Sequence, residues 1–185
     1  MLVPADSIVP VIVVNRSVRW MESVLINTGS NYFGYSLAAW LRHCGYSHID
    51  TLILLDNRKR YYGGLPKVMA VATVGTAVII SRDRRNLDAI RHDLWSAGTR
   101  TRLFLNAETA AWQGFRVRQS GDFGERTYQC ETDEPGGGQL QIDIAVRPQR
   151  HTVVSVRRRT ITGRLMAAKE WKLRYSDHDR LIDVD

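Results

Sequence analysis

Cysteine is scarce in this chain of 185 residues, and that scarcity excludes one class of protein. Only Cys44 and Cys130 are present, fewer than a small secreted domain held by disulfide bonds would carry. Cys44 also falls on the apolar face of a predicted helix, where pairing with another cysteine is not expected. We therefore expect no disulfide framework, and a reducing cytoplasm is the simplest location.

The sequence also lacks the clusters of side chains that bind metals or attack substrates. The five histidines show no H-x-H spacing and no helical pair four residues apart. Gly136-Gly137-Gly138 is not followed by the Lys and Ser or Thr of a phosphate-binding loop. No serine stands in a G-x-S-x-G setting. We accordingly predict no metal site, no cofactor and no catalytic residue.

Long apolar runs are missing too. The longest, Val68 to Ile80, is interrupted by polar residues and glycine, and it is shorter than the roughly 20 residues that a membrane span needs. Pro4, Asp6 and Pro10 break up the first residues, so no secretory signal is expected. We predict no membrane span in this chain and a cytoplasmic protein, although a soluble domain of a larger membrane protein would look the same.

Positive charge is what the chain has in excess. It carries 26 Lys and Arg against 19 Asp and Glu, with 44% hydrophobic residues overall, and its pI is near 9.8. Such a balance favours contacts with polyanions, so the predicted partner is the phosphate backbone of DNA or RNA, bound without sequence preference. The alternative for any one cluster is a solvated face with local ion pairs. The dense clusters are Arg58 to Arg60, Arg82 with Arg84 and Arg85, Arg147 with Arg150, and Arg157 to Arg159 with Arg164.

The first third of the chain has a regular order of elements. Ser23 to Ile26 is predicted to be a strand that ends in a glycine-containing loop. A helix follows, with Ser36 as its N-cap and Gly45 at its C-terminal end. Thr51 to Leu55 is predicted to be a buried strand that leads into a Gly63-Gly64 loop.

Later segments continue the pattern and then change it. A strand at Ala77 to Ser81, a helix at Asn86 to Ala97 and a strand at Arg102 to Leu105 are predicted to extend an α/β layer. Beyond them the strand-like alternation favours β structure, at Phe115 to Arg118, Leu140 to Val146 and Thr152 to Arg157. We therefore predict one domain over residues 1–185, with an α/β half to about residue 122 and a basic, β-rich part from about 123 to 185.

Four segments of the first third of the chain form a further pattern: Ile26-Asn27-Thr28-Gly29, Leu41-Arg42-His43-Cys44-Gly45, Ile49 to Leu54, and Leu55 to Leu65. Taken together, they resemble the metallo-β-lactamase fold, and most closely the C-terminal hydrolase-like domain of ComEC-type DNA-uptake competence proteins. They are similar, in order, to the family's I-D-T-G loop, L-R-x-x-G helix end, I-D-x-L-x-L strand and S-H-x-D-x-D-H-x-G-G-L motif. The resemblance implies an α/β fold, a metallo-β-lactamase-like αββα sandwich in truncated or degenerate form.

The positions that carry chemistry in that family differ here. By the resemblance, Asn27 stands in place of the Asp of the I-D-T-G loop, and Arg164 stands in place of the bridging Asp of an L-T-G-D segment. Four further replacements fall in the S-H-x-D-x-D-H motif: Asp56 for its first His, Arg58 for its second ligand, Arg60 for its Asp and Tyr61 for its last His. A guanidinium has no lone pair to give to zinc and repels the cation. We therefore predict a copy of the fold that lacks the metal ligands.

Three functions follow as hypotheses. The first is a non-catalytic protein whose former active-site face binds nucleic acid and which takes part in DNA uptake or processing. Phosphates would be contacted by four cations, Arg58, Lys59, Arg60 and Arg164. Tyr61 or Tyr62 would stack on a base, or else both would pack at the base of the loop. The second is an assembly subunit that binds another protein through its tryptophans, namely Trp20, Trp40, Trp95, Trp112 and Trp171. The third is a hydrolase or nuclease using Asp50, Asp56 or another carboxylate set with a different metal.

Overall fold

A computed structural model describes residues 5–6, 9–10, 12–15, 23–82, 84–112, 115–121, 126–133, 138–146, 151–160, 162 and 164–174. Two short strands, β1 (Ala5–Asp6) and β2 (Val9–Pro10), pair with each other. The remaining strands form two larger sheets.

The first sheet has five strands in sequential order: β3 (Ile12–Asn15), β4 (Ser23–Ile26), β5 (His48–Leu54), β6 (Thr73–Ser81) and β7 (Arg100–Leu105). Strand β3 is antiparallel to β4, and β4 to β7 run parallel. Strands β4, β5 and β6 are almost continuously buried, as expected for parallel strands covered on both faces. The predicted strands in this part of the chain are confirmed, with bounds shifted by a few residues.

Four helices connect the parallel strands: α1 (Phe33–His43), α2 (Lys59–Tyr62), α3 (Leu65–Met69) and α4 (Leu87–Ser96). Their apolar faces share one cluster with the outer face of the first sheet. Helix α1 begins earlier than predicted: the Ser30 hydroxyl accepts the Phe33 N–H at 3.2 Å, and Ser36 lies inside the helix. Gly45, with φ of 76°, ends the α1 segment in the left-handed region, as predicted.

The second sheet is an antiparallel meander of six strands, β8 (Thr109–Trp112), β9 (Phe115–Ser120), β10 (Arg126–Asp133), β11 (Gln139–Val146), β12 (His151–Arg159) and β13 (Leu165–Arg174). Burial alternates along β10 and β11, so one face points inward and the other is polar. This sheet starts at Thr109, earlier than the predicted change near residue 122, because the β8–β9 hairpin pairs with β10.

The two sheets share a hydrophobic core, to which Ile53 and Val78 contribute from the first sheet and Tyr128, Ile144 and Val154 from the second. The described residues therefore form a mixed α/β fold with two sheets and few helices. Helices cover the outer face of the first sheet, whereas no helix follows Ser96 in the described part of the chain. Among these residues, no helix has the length and apolarity needed to cross a membrane.

Candidate functional site

Parallel strands β4 to β7 all end at one side of the first sheet, here called the carboxyl edge; the opposite side is the amino edge. Among the described residues, the loops at the carboxyl edge comprise 27–32, 55–64 with the short helix α2 inside it, 82 with 84–86, and 106–108. In open α/β sheets, ligands bind outside the carboxyl ends of the strands. Two of these four loops carry dense basic sequence, so the edge is the natural place to examine for a site.

Asp56 lies directly after β5 and is almost completely buried. Arg58 donates to it twice, from its backbone N–H to Oδ1 and from Nε to Oδ2, both at 3.0 Å. Arg126, at the start of β10 in the second sheet, donates from Nη1 to the same Oδ2. One buried carboxylate therefore joins two guanidinium groups, and one of them comes from 70 residues further along the chain.

Arg58 remains cationic in this setting. Burial lowers the pKa of its guanidinium, but the hydrogen bond to Asp56 and the charges nearby more than offset that effect, so the pKa is raised overall. Its Nη2 also donates to the Tyr61 hydroxyl at 3.3 Å. The cluster of Asp56, Arg58 and Arg126 keeps a net positive charge of one.

Tyr61 and Tyr62 lie inside the fold, with 0% and 7% of their surface exposed. Burial raises the pKa of Tyr61, and the neighbouring Tyr128 raises it further. The guanidinium carbons of Arg58 and Arg60 lie 5.2 and 5.6 Å from the centre of the Tyr61 ring, a distance at which cations attract an aromatic face. Neither Tyr61 nor Tyr62 presents an open ring to a base, so both pack at the loop base.

The loop after β4 and the Gly63-Gly64 segment are locked together through their backbones. Thr28 donates its N–H to the Tyr61 carbonyl at 2.9 Å, and Gly64 donates to the Gly29 carbonyl at 3.0 Å. A Cβ on Gly64 would lie 2.3 Å from the Thr28 carbonyl oxygen, closer than atoms can approach. These contacts need small residues and turns, which gives a physical reason for glycine at positions 63 and 64.

Asn27 also joins the β4 loop to β5 through hydrogen bonds. Its side-chain oxygen accepts the Leu55 N–H at 3.1 Å, and its own N–H donates to the Ile53 carbonyl at 2.7 Å. With φ of 61° it adopts the left-handed conformation, which asparagine tolerates better than most residues. Asn27 thus ties the end of β4 to the end of β5.

Six cations on two adjacent loops form what we call the basic rim: Arg58, Lys59, Arg60, Arg82, Arg84 and Arg85. Hydrogen bonds hold the loops together, because Asn57 Nδ2 donates to the Arg85 carbonyl and Asn86 Nδ2 donates to the Asn57 carbonyl at 3.1 Å. Asp83 belongs to the same stretch of sequence and lies outside the described residues. The rim therefore concentrates positive charge at one edge of the sheet.

Three buried polar groups near Tyr61 lack a hydrogen-bond partner among the described residues: the Nε atoms of Arg60 and Arg126 and the hydroxyl of Tyr128. Buried polar groups without partners are uncommon in folded proteins. The two Nε groups can only donate, whereas the hydroxyl can donate or accept. The two guanidinium donors favour an anion over a cation as the ligand of this edge.

The metal site implied by the family resemblance does not fit these residues. No group of three or more His, Cys, Asp or Glu side chains comes together in the described part of the chain. Asp56, a potential oxygen ligand, is already bonded to Arg58 and Arg126. A divalent cation would have to displace both guanidinium groups and would not find the three or four ligands that a zinc site uses among the described residues.

The structure brings most of the predicted site residues together, but Arg164 is not among them. Strand β10 runs from Arg126, beside Asp56, to Asp133, and the register continues from Asp133 through β11 and β12 to Leu165. Arg164 therefore lies at the far end of the second sheet, roughly 20–25 Å along the strands from the Asp56 cluster. Placing it in the site was wrong, because a three-residue sequence match carries no information on strand register.

Asp50 also lies away from Asp56. It is near the start of β5, where its Oδ2 accepts the Ser23 N–H at 2.8 Å and the Ser23 hydroxyl at 3.1 Å. His48 Nε2 is 3.5 Å from its Oδ1. The two aspartates stand at opposite edges of the sheet, so they do not form the carboxylate pair that a hydrolase would need.

Sequence reasoning missed Arg126 and the pair Tyr32 and Tyr35. Nothing in the sequence around Arg126 distinguishes it from other arginines, since its role depends on the packing of one sheet against the other. Tyr32 and Tyr35, at the start of α1, are 85% and 60% exposed. Their signal was present in the sequence as two aromatic residues three positions apart, flanked by polar residues at the predicted start of a helix.

No protein family model matches the sequence, and no curated protein matches it. Among solved structures, the fold is similar to "Crystal Structure of a New Diphosphatase from the PhnP Family", with a TM-score of 0.43 and 12% sequence identity over 67% of this chain and 49% of that chain. The chain spans about half of that protein's length, and this degree of overlap assigns neither a family nor an activity to the chain.

Proposed function

We propose that this chain is a non-catalytic, metallo-β-lactamase-like protein that binds the phosphate backbone of DNA or RNA along the basic rim. The observation that carries the proposal is the Asp56 cluster, in which Arg58 and Arg126 occupy the only buried carboxylate among the described residues of this edge. Fixed guanidinium groups stand where a metal-dependent relative would hold cations. The resemblance to competence proteins favours DNA uptake or processing as the setting.

Electrostatics support an anionic ligand. Lys59, Arg84 and Arg85 are exposed on loops that are joined through Asn57 and Asn86. Their charges would therefore act on the same stretch of a nucleic-acid phosphate backbone. Phosphate contacts of this kind bind without sequence preference and weaken as salt rises. No base-reading motif is present in the sequence, which is in line with binding that tolerates any sequence.

The chemistry of the described side chains around Asp56 supports a non-catalytic role. Hydrolysis of a phosphodiester in metal-dependent enzymes uses a metal to lower the pKa of a bound water. In this site the donors are guanidinium and phenol groups, and burial raises the pKa of both Tyr61 and Tyr128. These groups can hold an anion but are poorly suited to remove a proton from water near neutral pH.

The test is charge reversal at exposed positions that do not touch Asp56. Lys59→Glu with Arg84→Glu removes two rim charges, and Arg100→Glu with Arg164→Glu makes the same change in net charge at exposed sites distant from the rim. Affinity for single- and double-stranded DNA and RNA is measured by fluorescence anisotropy across a salt series. We expect the rim variant to bind at least tenfold more weakly and the salt slope to fall by about 1.4 to 1.8, the value for two lost phosphate contacts.

Equal loss in the rim variant and its matched control would show that binding follows net charge and not the rim. An absence of binding at low salt would reject the function altogether. Because all four substituted side chains are exposed, thermal unfolding should be nearly unchanged in both variants and serves as the check on folding.

Assembly with another protein is a second candidate, favoured by one residue. Trp95 on α4 is 79% exposed, and exposed tryptophans are frequent anchors at protein interfaces. Trp40 instead stacks on Tyr46 with ring centres 5.5 Å apart; the side chains of Trp20, Trp112 and Trp171 lie outside the described set. Cross-linking of the purified chain with and without Trp95→Ser tests the case in which the partner is a second copy of this chain.

A further inference from the structure

We infer that Tyr32 and Tyr35 form a stacking platform for unpaired bases, which makes single-stranded nucleic acid the preferred ligand of the basic rim. This inference rests on the proposed function and narrows its ligand. Of the described tyrosines, these two residues are the most exposed, at 85% and 60%, whereas Tyr61, Tyr62 and Tyr128 are buried. Most of the surface of both residues is open to solvent, so their rings are accessible to a ligand.

The platform lies at the same edge as the rim. Helix α1 starts immediately after the β4 loop, and its first turn packs against the Gly63-Gly64 segment that follows α2. A Cβ on Gly34 would lie 2.5 Å from the Gly64 Cα, and one on Gly63 would lie 2.7 Å from the Asn31 nitrogen. The residues beside Tyr32 and Tyr35 thus touch the segment next to Lys59 and Arg60.

The geometry of the pair suits successive bases. Tyr32 is in helical conformation as the N-cap of α1. Residues three apart on a helix are neighbours on one face, with their Cβ atoms about 5–6 Å apart. Lys67 on α3 places its Nζ 4.4 Å from the centre of the Tyr35 ring. This contact orders the ring and brings another cation to the platform, where it would neutralise a phosphate while the rings stack on bases.

Duplex nucleic acid buries its base faces in the helical stack, so a stacking platform is useful only when bases are unpaired. The rim by itself would hold single and double strands alike. Together, the rim and the tyrosines form the two components typical of single-strand binding sites, a positively charged track and aromatic side chains beside it.

The experiment compares three ligands of about 12 nucleotides, a length within the range that one such domain covers: an oligothymidylate, an abasic oligomer with the same backbone, and a duplex. Each is titrated against the unmodified chain, Tyr32→Ala/Tyr35→Ala and Tyr32→Phe/Tyr35→Phe. We expect the alanine variant to bind oligothymidylate roughly tenfold more weakly for each ring lost, with no change for the abasic oligomer. The phenylalanine variant keeps the rings and should retain the affinity.

The outcomes separate the two proposals. If the unmodified chain binds the abasic oligomer and oligothymidylate equally well, the rim stands and the platform is wrong. If both tyrosine variants lose affinity equally, the hydroxyl groups and not the rings matter, which also overturns stacking. If no ligand binds at low salt, the function proposed for the rim fails and the platform fails with it.

Discussion

The two ends of strand β5 each carry an aspartate, and their surroundings differ sharply. Asp50, near the amino edge, is partly exposed and is held by Ser23 and by His48. Asp56, at the carboxyl edge, is buried and is held by two arginines. Water shares the solvation of the first carboxylate, whereas the second depends on protein cations. The difference shows that the carboxyl edge concentrates cationic groups around a buried charge, while the amino edge only caps a strand.

The contrast between Asp50 and Asp56 predicts that removing one cation from the buried cluster lowers stability more than changing Asp50. Arg126→Met keeps much of the side-chain volume but leaves Asp56 with Arg58 alone, and losing a hydrogen bond to a charged group costs about 1.5–3 kcal/mol. Asp50→Asn should cost about 1 kcal/mol or less, because the amide oxygen still accepts from Ser23 and the site is partly solvated. Urea unfolding midpoints at a constant m-value measure both changes.

A double variant tests whether the cost arises from the contact between Arg126 and Asp56. Arg126→Met combined with Asp56→Asn should cost less than the two single changes added together, because each single change already removes that ion pair. If Arg126→Met costs no more than Asp50→Asn, the two ends of β5 are energetically alike and the contrast between them is wrong.

Glycines at the two edges provide the next comparison. At the carboxyl edge, a Cβ on Gly64 would lie 2.3 Å from the Thr28 carbonyl oxygen, so Gly64→Ala must separate two packed loops and should cost about 3 kcal/mol. At the amino edge, Gly45 has φ of 76° and open space around its Cα. Gly45→Ala should therefore cost only about 1 kcal/mol, the strain of a left-handed residue.

Thermal unfolding of both variants measures this difference. A similar loss of stability in Gly64→Ala and Gly45→Ala would mean that the close approach of the two loops at the carboxyl edge relaxes easily. In that case the lock between the β4 loop and the Gly63-Gly64 segment would not explain why these scaffold residues are present.

Much of the first sheet was predictable because its signals are local. The strand Ser23–Ile26, the left-handed Gly45 and the helix between Asn86 and Gly98 depend on neighbouring residues, and each appears close to its predicted position. The N-cap of α1 was misassigned because Ser30, three residues before Phe33, accepts the helix N–H in place of Ser36. A capping residue can be found from sequence only to within a turn when several serines are near.

The site was less predictable because it is assembled from distant parts of the chain. Arg58 and Asp56 are two residues apart, and their closeness follows from sequence. Arg126 reaches Asp56 only because the second sheet packs against the first across a shared core. The misplacement of Arg164 has the same origin, since strand direction decides which end of a sheet a hairpin occupies.

The two cysteines extend the comparison to chemistry. Cys44 is exposed at the end of α1, whereas Cys130 is buried in the core between the sheets. A thiol reagent at pH 8 should modify Cys44 quickly and Cys130 only as the chain unfolds, because burial protects the sulfur and disfavours the reactive thiolate. Mass spectrometry over time distinguishes them, and rapid double modification would show that the second sheet opens readily.

Alkaline pH should produce the smallest change in the free energy of unfolding, and the sign of that change follows from the buried thiol of Cys130. Burial raises the pKa of Cys130 to about 12 from 9.0 in the unfolded chain. Above pH 9 the unfolded chain releases this proton while the folded chain retains it, so stability is intact below pH 9 and falls as pH rises towards 12. The loss between pH 8 and pH 10 should be about 1 kcal/mol.

Cys130→Ala removes this titration, so its unfolding free energy should fall less steeply over the same interval, while Cys44→Ala should behave as the unmodified chain does. Tyr61 and Tyr128, whose pKa values burial also raises, add to the slope only above about pH 10. If Cys130→Ala and Cys44→Ala follow the same curve between pH 8 and pH 10, the thiol between the sheets is not shielded from water, and the packing of the second sheet against the first is looser than its buried side chains indicate.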